Sequence, residues 1–321
     1  MLGCATIMAT AAVYMAMTVT AHALPAKVDG NIRKYIPVAG VSGVLNSTGP
    51  DTLNNLMATL AEKFKTVYPG VIIQIKGGGS STPALITGTS QIVTMSREMN
   101  VSEIDSFQAT YGYKPSKIGI ALDSLAIYVN KDNPIKSLSL DEADAIYSVT
   151  RWRGLPEINT WGQLGLTGDL GAMPFSLYGH DSASGTYEYL KEHVLGNGSF
   201  KATVKELVGS ALVVEAVAND INAIGYSGIG YATSGVRAVP LSVKNGGPVA
   251  KANYQNTLKG TYPLARMLYI YVNKKPGNLL PRVVEEFLKF TLSEEGQSIV
   301  ARSGFYPLTP QLVQKQLNVL K

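Results

Sequence analysis

Three short turns rich in Ser, Thr and Gly recur along this chain, each after a predicted strand and before a predicted helix. They cover residues 46–52, 77–83 and 179–186. The first amides of a helix lack partners within the helix and carry partial positive charge from its dipole, so a glycine-containing turn there can bind an anion. A single such turn usually only caps its helix. The recurrence of three predicts an anion site between α/β elements.

Strands and helices alternate along the chain, which predicts an α/β fold with largely parallel sheets. Apolar or β-branched runs predict strands over 36–41, 71–75, 91–94, 118–129 and 174–179. Apolar residues at helical spacing predict helices over 53–64, 104–111, 140–148 and 211–219, with two more within 281–304. Trp152 and Trp161 follow in a Gly-rich connection, and both are expected to be packing residues.

Two predicted strands end alike, because the strand over 118–129 and the strand that begins at Met267 both run into Tyr-Val-Asn-Lys. Such a pair predicts two crossings between lobes. We expect residues 24–129 and 266–321 to build the first lobe and residues 130–265 to form an inserted second lobe. Ligands of α/β sheets bind at the carboxyl ends of strands, so the anion would lie in a cleft between lobes that close on it.

The N-terminal segment, residues 1–23, contains no Asp, Glu, Lys or Arg and ends in Ala21-His22-Ala23. This pattern predicts an export signal cleaved after Ala23, and therefore a periplasmic or secreted protein. The apolar stretch over 2–19 is close to the length that spans a bilayer, so an uncleaved anchor is the alternative. No cluster of Lys or Arg follows closely, which favours cleavage.

Charge and composition narrow the functional classes. The chain has 28 Lys and Arg against 23 Asp and Glu, but no basic run that would follow a nucleic-acid backbone. The net charge of +5 would still attract small anions. The only cysteine, Cys4, lies within the predicted signal, so thiol chemistry is not expected in the mature chain. No His/Asp cluster has metal-ligand spacing, and we expect no metal and no cofactor.

Four sequence strings occur in an order that resembles a known family. They are Gly-Gly-Gly-Ser-Ser-Thr (77–82), Met-Ser-Arg-Glu-Met (95–99), Asp-Ser-Ala-Ser-Gly-Thr (181–186) and Gly-Tyr-Ser-Gly-Ile-Gly-Tyr (225–231). Together they resemble the exported phosphate-binding proteins of phosphate ABC transporters, over roughly residues 40–310. The resemblance implies the two-lobed type II periplasmic binding-protein fold. It also implies inorganic phosphate as ligand, the permease subunits of an ABC transporter as partners, no catalytic residues and a monomeric state.

The same resemblance implies a set of anion ligands drawn from the three turns. These are Ser47 or Thr48, then Ser80 or Ser81, then Ser184, Gly185 and Thr186. Two positions depart from the family pattern, because His180 stands where an Arg is usual and Ser96 stands where the best-known members have an Asp. We expect both to border the anion, with Arg97 supplying the positive charge that His180 has only when protonated. The carboxylate that accepts the proton of hydrogen phosphate would be Asp51, Glu98 or Asp181.

Three alternatives remain open at the level of sequence. A phosphatase would also need a phosphate-binding cleft, but a nucleophile without an evident base or metal is a poor catalyst. A binding protein for another oxyanion, or an extracellular structural protein, is compatible with the same fold. His180 is as well explained by a structural position beside the cleft as by contact with the ligand.

Overall fold

The computed structural model describes residues 26–77 and 81–321. Its strands are β1 (Gly43–Gly49), β2 (Val71–Gly77), β3 (Ile92–Met95), β4 (Ser116–Asn130), β5 (Leu138–Ser139), β6 (Ser176–His180), β7 (Lys205–Leu207), β8 (Ala223–Gly228), β9 (Val236–Ala238), β10 (Leu241–Ser242) and β11 (Ala265–Val272). Its α-helices are α1 (Asn54–Val67), α2 (Ser81–Ile86), α3 (Val101–Tyr111), α4 (Leu140–Tyr147), α5 (Gly168–Ala172), α6 (Gly185–His193), α7 (Ser210–Ala218), α8 (Tyr254–Leu258), α9 (Arg282–Thr291), α10 (Glu294–Arg302) and α11 (Pro310–Val319). Short 3-10 helices lie at Asp51–Leu53, Trp161–Leu164 and Ile229–Tyr231.

The main sheet has the strand order β2-β1-β3-β11-β4-β8-β6-β7, with β9 paired beside β4. At one end β1 is parallel to β2 and β3, and at the other end β6 is parallel to β7 and β8. The expectation of largely parallel sheets therefore holds at both ends. Between them, β11 and β4 are antiparallel to each other and to their outer neighbours, because these are the strands on which the chain crosses.

The long strand β4 carries the sheet from one half of the molecule to the other. Its residues 116–124 pair with β11, and its residues 125–129 pair with β8. One apolar core collects residues from both ends of the chain, including Leu45, Phe64 and Phe287, whereas a second collects residues from the middle, including Trp161 and Tyr226. The architecture is thus two-lobed α/β, while the boundaries at 129/130 and 265/266 stay a prediction.

Local sequence accounts for α1, the helix that follows the first predicted turn. Its buried residues, Leu56, Met57, Leu60, Ala61 and Phe64, follow the helical spacing of one face. Tyr68 ends the helix, and the next residues, Pro69 and Gly70, are turn formers. Helices α9 and α10 were also predicted; α11 was not.

Two expectations about the fold were wrong. No strand forms over 36–41: Pro37 interrupts that run, Ile36 is 80% exposed, and the first strand among the described residues begins at Gly43. Trp161 is fully buried as expected, but Trp152 is 63% exposed and lies against the guanidinium of Arg153, which stands 5.6 Å from its ring centroid.

The predicted export signal, residues 1–23, lies outside the described residues. Among the helices that the structure does describe, none combines the length and the apolar character needed to cross a membrane.

Candidate functional site

The turn after β6 opens α6 and forms one side of the candidate site. Ser184 is the N-cap of α6, and its Oγ accepts a hydrogen bond from the Thr186 amide at 3.2 Å. Asp181 Oδ1 accepts from the Ala183 amide at 2.9 Å, which fixes the turn. Thr186 is fully buried in the first turn of this nine-residue helix. The third predicted turn therefore places the buried Thr186 hydroxyl at the start of a helix.

A hydroxyl from the first lobe meets this helix terminus. Thr52, in the 3-10 helix before α1, places its Oγ1 3.0 Å from the Oγ1 of Thr186, and both side chains are buried. The guanidinium of Arg266 donates to the same Thr186 oxygen, with Nη1 at 3.3 Å and Nη2 at 3.4 Å. Two lobes and a buried cation thus converge on one threonine.

Two buried polar atoms beside these threonines have no hydrogen-bond partner among the described residues, namely Ser96 Oγ and His180 Nε2. Nearly all buried polar groups in proteins are hydrogen-bonded, so such atoms mark a place where a polar ligand can be recognised. Ser96 Oγ faces α6, because a Cβ built on Gly185 would lie only 2.8 Å from it. Glycine at position 185 therefore lets the Ser96 hydroxyl approach the helix terminus.

The His180 ring is almost completely buried at the end of β6. Its Nδ1 lies 3.3 Å from Ser184 Oγ. Burial, together with the smaller effect of the positive charge of Arg266, lowers the pKa of His180 to about 4. The imidazole is therefore neutral near pH 7. In the tautomer whose Nδ1 accepts from the Ser184 hydroxyl, Nε2 carries the proton and is a neutral donor.

The guanidinium of Arg97 is held by carboxylates rather than left open to the site. It bonds Glu103 at 2.7 and 3.1 Å, Glu188, and the Glu98 carbonyl at 2.7 Å. These carboxylates raise the pKa of Arg97 although burial opposes them. Because Glu188 lies on α6 and Arg97 follows β3, this ion pair joins the two lobes beside the candidate site.

Of the first predicted turn, the structure brings Thr52 to the site, whereas Ser47 and Thr48, the residues expected to bind the anion, have a different setting. Ser47 and Thr48 lie within strand β1 rather than in a turn, and Thr48 Oγ1 is 2.5 Å from Ser90 Oγ. From the second turn, Ser81 donates to the Thr94 carbonyl at 2.9 Å, whereas Ser80 lies outside the described residues. A cavity of about 170 Å³ does bring some of the predicted residues together, with Ser81, Ser96, Arg97 and Gly185 in its wall.

The three carboxylates suggested as proton acceptors are engaged elsewhere. Asp51 Oδ2 accepts from the Ser210 amide at the start of α7 at 2.7 Å. Glu98 is paired with Lys117, which lowers the pKa of this carboxyl, and Asp181 holds its own turn. Within residues 26–77 and 81–321, no group of three or more His, Cys, Asp or Glu side chains is arranged to hold a metal ion.

Sequence reasoning missed Thr52, Asp123 and Arg266. Thr52 closes the same turn as Ser47 and Thr48, and it immediately precedes the apolar face of α1. Asp123 and Arg266 are opposite charges within otherwise apolar strands, and that contrast is a signal the sequence did offer, since charged residues are rarely buried unless paired.

A two-lobed α/β protein whose hydroxyls converge on one helix terminus between the lobes belongs to the class of substrate-binding proteins. The chain matches the family model described as a PBP superfamily domain over residues 36–295. It is also 47% identical over 310 residues to the phosphate-binding protein PstS of Pseudomonas aeruginosa, covering 96% of each chain. The chain therefore belongs to the phosphate-binding proteins of phosphate ABC transporters, a non-enzymatic family.

Solved structures agree with this assignment. A phosphate ABC transporter substrate-binding protein from Clostridium perfringens, solved with bound phosphate, is 28% identical with a TM-score of 0.69, covering 83% of this chain and 100% of that one. An ABC-type phosphate transport receptor from Vibrio cholerae is 22% identical with a TM-score of 0.65, covering 82% and 100%. The latter likeness shows the shared fold alone.

Proposed function

We propose that this chain captures inorganic phosphate in the cleft between its lobes and delivers it to an ABC transporter. The observation that carries the proposal is the meeting of Thr52 and Thr186, because it places hydroxyls from both lobes at the amide-rich start of α6. An anion bound there would contact both lobes and would therefore favour the closed arrangement. The relatives from Pseudomonas and Clostridium support the choice of phosphate.

The proposed ligand set uses neutral donors almost throughout. It comprises backbone amides at the start of α6, the hydroxyls of Thr52, Ser96 and Thr186, and Nε2–H of His180. The hydroxyls of Ser81 and Ser184 would join it only by giving up their bonds to the Thr94 carbonyl and to His180 Nδ1. Thr52 takes the role that the sequence assigned to Ser47 or Thr48. Arg97 would join the set only by leaving its carboxylate partners, so we assign it to the link between lobes.

The finer points of this role are proposals as well. Export through cleavage after Ala23 would place the protein in the periplasm or outside the cell, where it would act as a monomer and meet permease subunits. Expression of the full chain followed by N-terminal sequencing of the exported product would test the cleavage site. An N-terminus at Leu24 is expected, and retention of residues 1–23 would instead indicate an anchor.

Calorimetric titration tests the ligand. Protein beginning at Leu24 and freed of bound anions would be titrated with phosphate, arsenate and sulfate, each alone and in competition. We expect tight binding of phosphate and displacement by arsenate, and the competition with sulfate shows whether the site holds an acceptor for the proton of hydrogen phosphate. Heat with sulfate but none with phosphate would assign the site to a different oxyanion. Absence of binding heat with all three anions would refute anion capture.

A further inference from the structure

The crossover strands β4 and β11 carry a buried ion pair directly behind Thr186. Asp123 and Arg266 are register partners in the antiparallel ladder, and their side chains are 0% and 2% exposed. Asp123 Oδ2 accepts from Arg266 Nε at 2.8 Å. Removing two charges from water costs about as much as their attraction returns, so stability alone does not explain why this pair occupies the base of the cleft.

Several contacts fix the direction of the Arg266 guanidinium. Asp123 holds Nε, and Asp123 Oδ1 is itself held by the Ile229 amide at 3.1 Å. The Tyr189 ring lies 5.2 Å from the guanidinium carbon. The backbone of Gly228 packs closely against the ion pair, because a Cβ at this position would lie only 3.1 Å from Asp123 Oδ2. The two remaining nitrogens, Nη1 and Nη2, are left to face Thr186 Oγ1.

This arrangement fixes which group the Thr186 hydroxyl accepts a hydrogen bond from and in which direction it donates its own proton. A hydroxyl has one proton to donate, and an arginine can only donate. Thr186 Oγ1 must therefore accept from Arg266, and its own proton is directed away from Arg266, toward Thr52 and the cleft. We propose that Arg266, held by Asp123, is a positioning residue that fixes Thr186 as a hydrogen-bond donor to the bound anion. The proposal rests on the proposed phosphate site.

The same pair explains how the site can attract an anion without the two cations that the sequence suggested. His180 is neutral near pH 7 and Arg97 is paired with Glu103 and Glu188. Arg266 keeps Nη1 and Nη2 on the ligand side of its own pair, one hydroxyl away from the proposed anion position. The positive end of the Asp123–Arg266 ion pair therefore faces the cleft. The low dielectric constant of this buried region strengthens its attraction for an anion.

A double-mutant cycle on phosphate affinity separates positioning from simple support of the fold. Arg266→Lys keeps a charge for Asp123 but cannot also reach Thr186 with a planar fork. We expect it to weaken phosphate binding about tenfold, as expected for loss of a hydrogen bond to a charged group. In a Thr186→Val background the same change should alter the dissociation constant by less than about twofold. Arg237→Lys, at an arginine that donates to the Asn133 and Ile135 carbonyls away from the site, is the matched control and should bind phosphate normally.

Independent losses in the two variants would overturn the proposal, because a residue that only supports the fold would act additively with Thr186→Val. Unchanged affinity in folded Arg266→Lys would overturn it too. If Arg266→Lys does not fold, the double variant Arg266→Gln/Asp123→Asn leaves no unpaired buried charge and must show the same loss. Failure of the wild-type protein to bind phosphate would refute the proposed function instead. The wild-type protein is therefore titrated in the same series, so that loss of the positioning role can be told apart from absence of phosphate binding.

Discussion

Thr52 Oγ1 and Thr186 Oγ1 lie 3.0 Å apart across the cleft, although 134 residues separate them in the chain. Thr52 precedes α1 in the first lobe, and Thr186 begins α6 in the second. Neither side chain is exposed to solvent. A ligand at this contact would be held by both lobes at once, so changes at either threonine should affect capture rather than the stability of one lobe.

Replacement of Thr52 tests which residue of the first turn binds the anion. Thr52→Val keeps the shape but removes the hydroxyl, and we expect phosphate affinity to fall about tenfold or more, since a hydrogen bond to a charged group contributes roughly 1.5–3 kcal/mol. Thr48→Val is the matched control, because the Thr48 hydroxyl is bonded to Ser90 within the first lobe. Calorimetry measures the phosphate affinity of both variants. A larger loss of affinity in Thr48→Val than in Thr52→Val would show that the β1 residues, and not Thr52, bind the anion.

Gly185→Ala should weaken binding through Ser96. The added Cβ would lie 2.8 Å from Ser96 Oγ and would force that hydroxyl out of its position. Alanine is a better helix former than glycine, so the melting temperature should hold or rise while affinity falls. Ser96→Ala should lose a similar amount, and the double variant should be no worse than either single variant. Additive losses in affinity would show that Gly185 and Ser96 act separately.

Because His180 is buried and neutral, we expect the ligand-free protein to lose stability as the pH is lowered. Its pKa in the folded protein is about 4 against 6.5 for an unperturbed imidazole, because burial disfavours the charged ring. On lowering the pH below 6.5 the unfolded chain binds the proton first, so the free energy of unfolding should fall by up to about 3 kcal/mol by pH 4. Above pH 6.5 the residue should contribute no pH dependence. Denaturant titrations of His180→Gln should lack this part of the slope.

His193 provides the control for that experiment, since its side chain is 42% exposed on α6. His193→Gln should retain the wild-type dependence on pH. An unchanged slope in His180→Gln would mean that the pKa of His180 is the same in the folded and unfolded states, so that the ring is charged below about pH 6.5. In that case phosphate affinity, corrected for the titration of phosphate itself, should also decline as the pH rises.

The ion pair between Arg97 and Glu188 should slow release of the ligand. It joins the two lobes beside the site, but Glu188 is 44% exposed, so its effect on closure is limited to about 1 kcal/mol. Glu188→Gln should raise the dissociation rate of phosphate by about fivefold or less, and added salt should reduce the difference. Stopped-flow release measurements against Glu192→Gln, on the same helix, provide the comparison. A change confined to the association rate would contradict a role in holding the lobes closed.

Local sequence patterns were sufficient for much of the fold and for one side of the site. A strand, a capped turn and an amphipathic helix are encoded within about 20 residues, so β6, Ser184 and α6 could be predicted together. The strand over 36–41 was predicted wrongly because an apolar run does not show whether its side chains have a partner surface. Ile36 has none that buries it.

The other side of the site depended on long-range geometry. Ser47, Thr48 and Thr52 carry the same kind of side chain within one predicted turn. Only the structure shows that Thr48, in β1, points to Ser90, while Thr52, in the 3-10 helix, meets Thr186. Likewise, the pairing of Asp123 with Arg266 follows from the register of β4 against β11, which single-strand patterns do not contain.

The position of the bound anion is the most direct test of these conclusions. A crystal structure of the protein with phosphate should place the anion at the start of α6, with its oxygens accepting from the Thr52 and Thr186 hydroxyls and from the α6 amides. Arg266 should then contact Thr186 from the opposite side. Phosphate bound at Thr48 and away from Thr52, or bound to one lobe alone, would contradict capture between the lobes at this site.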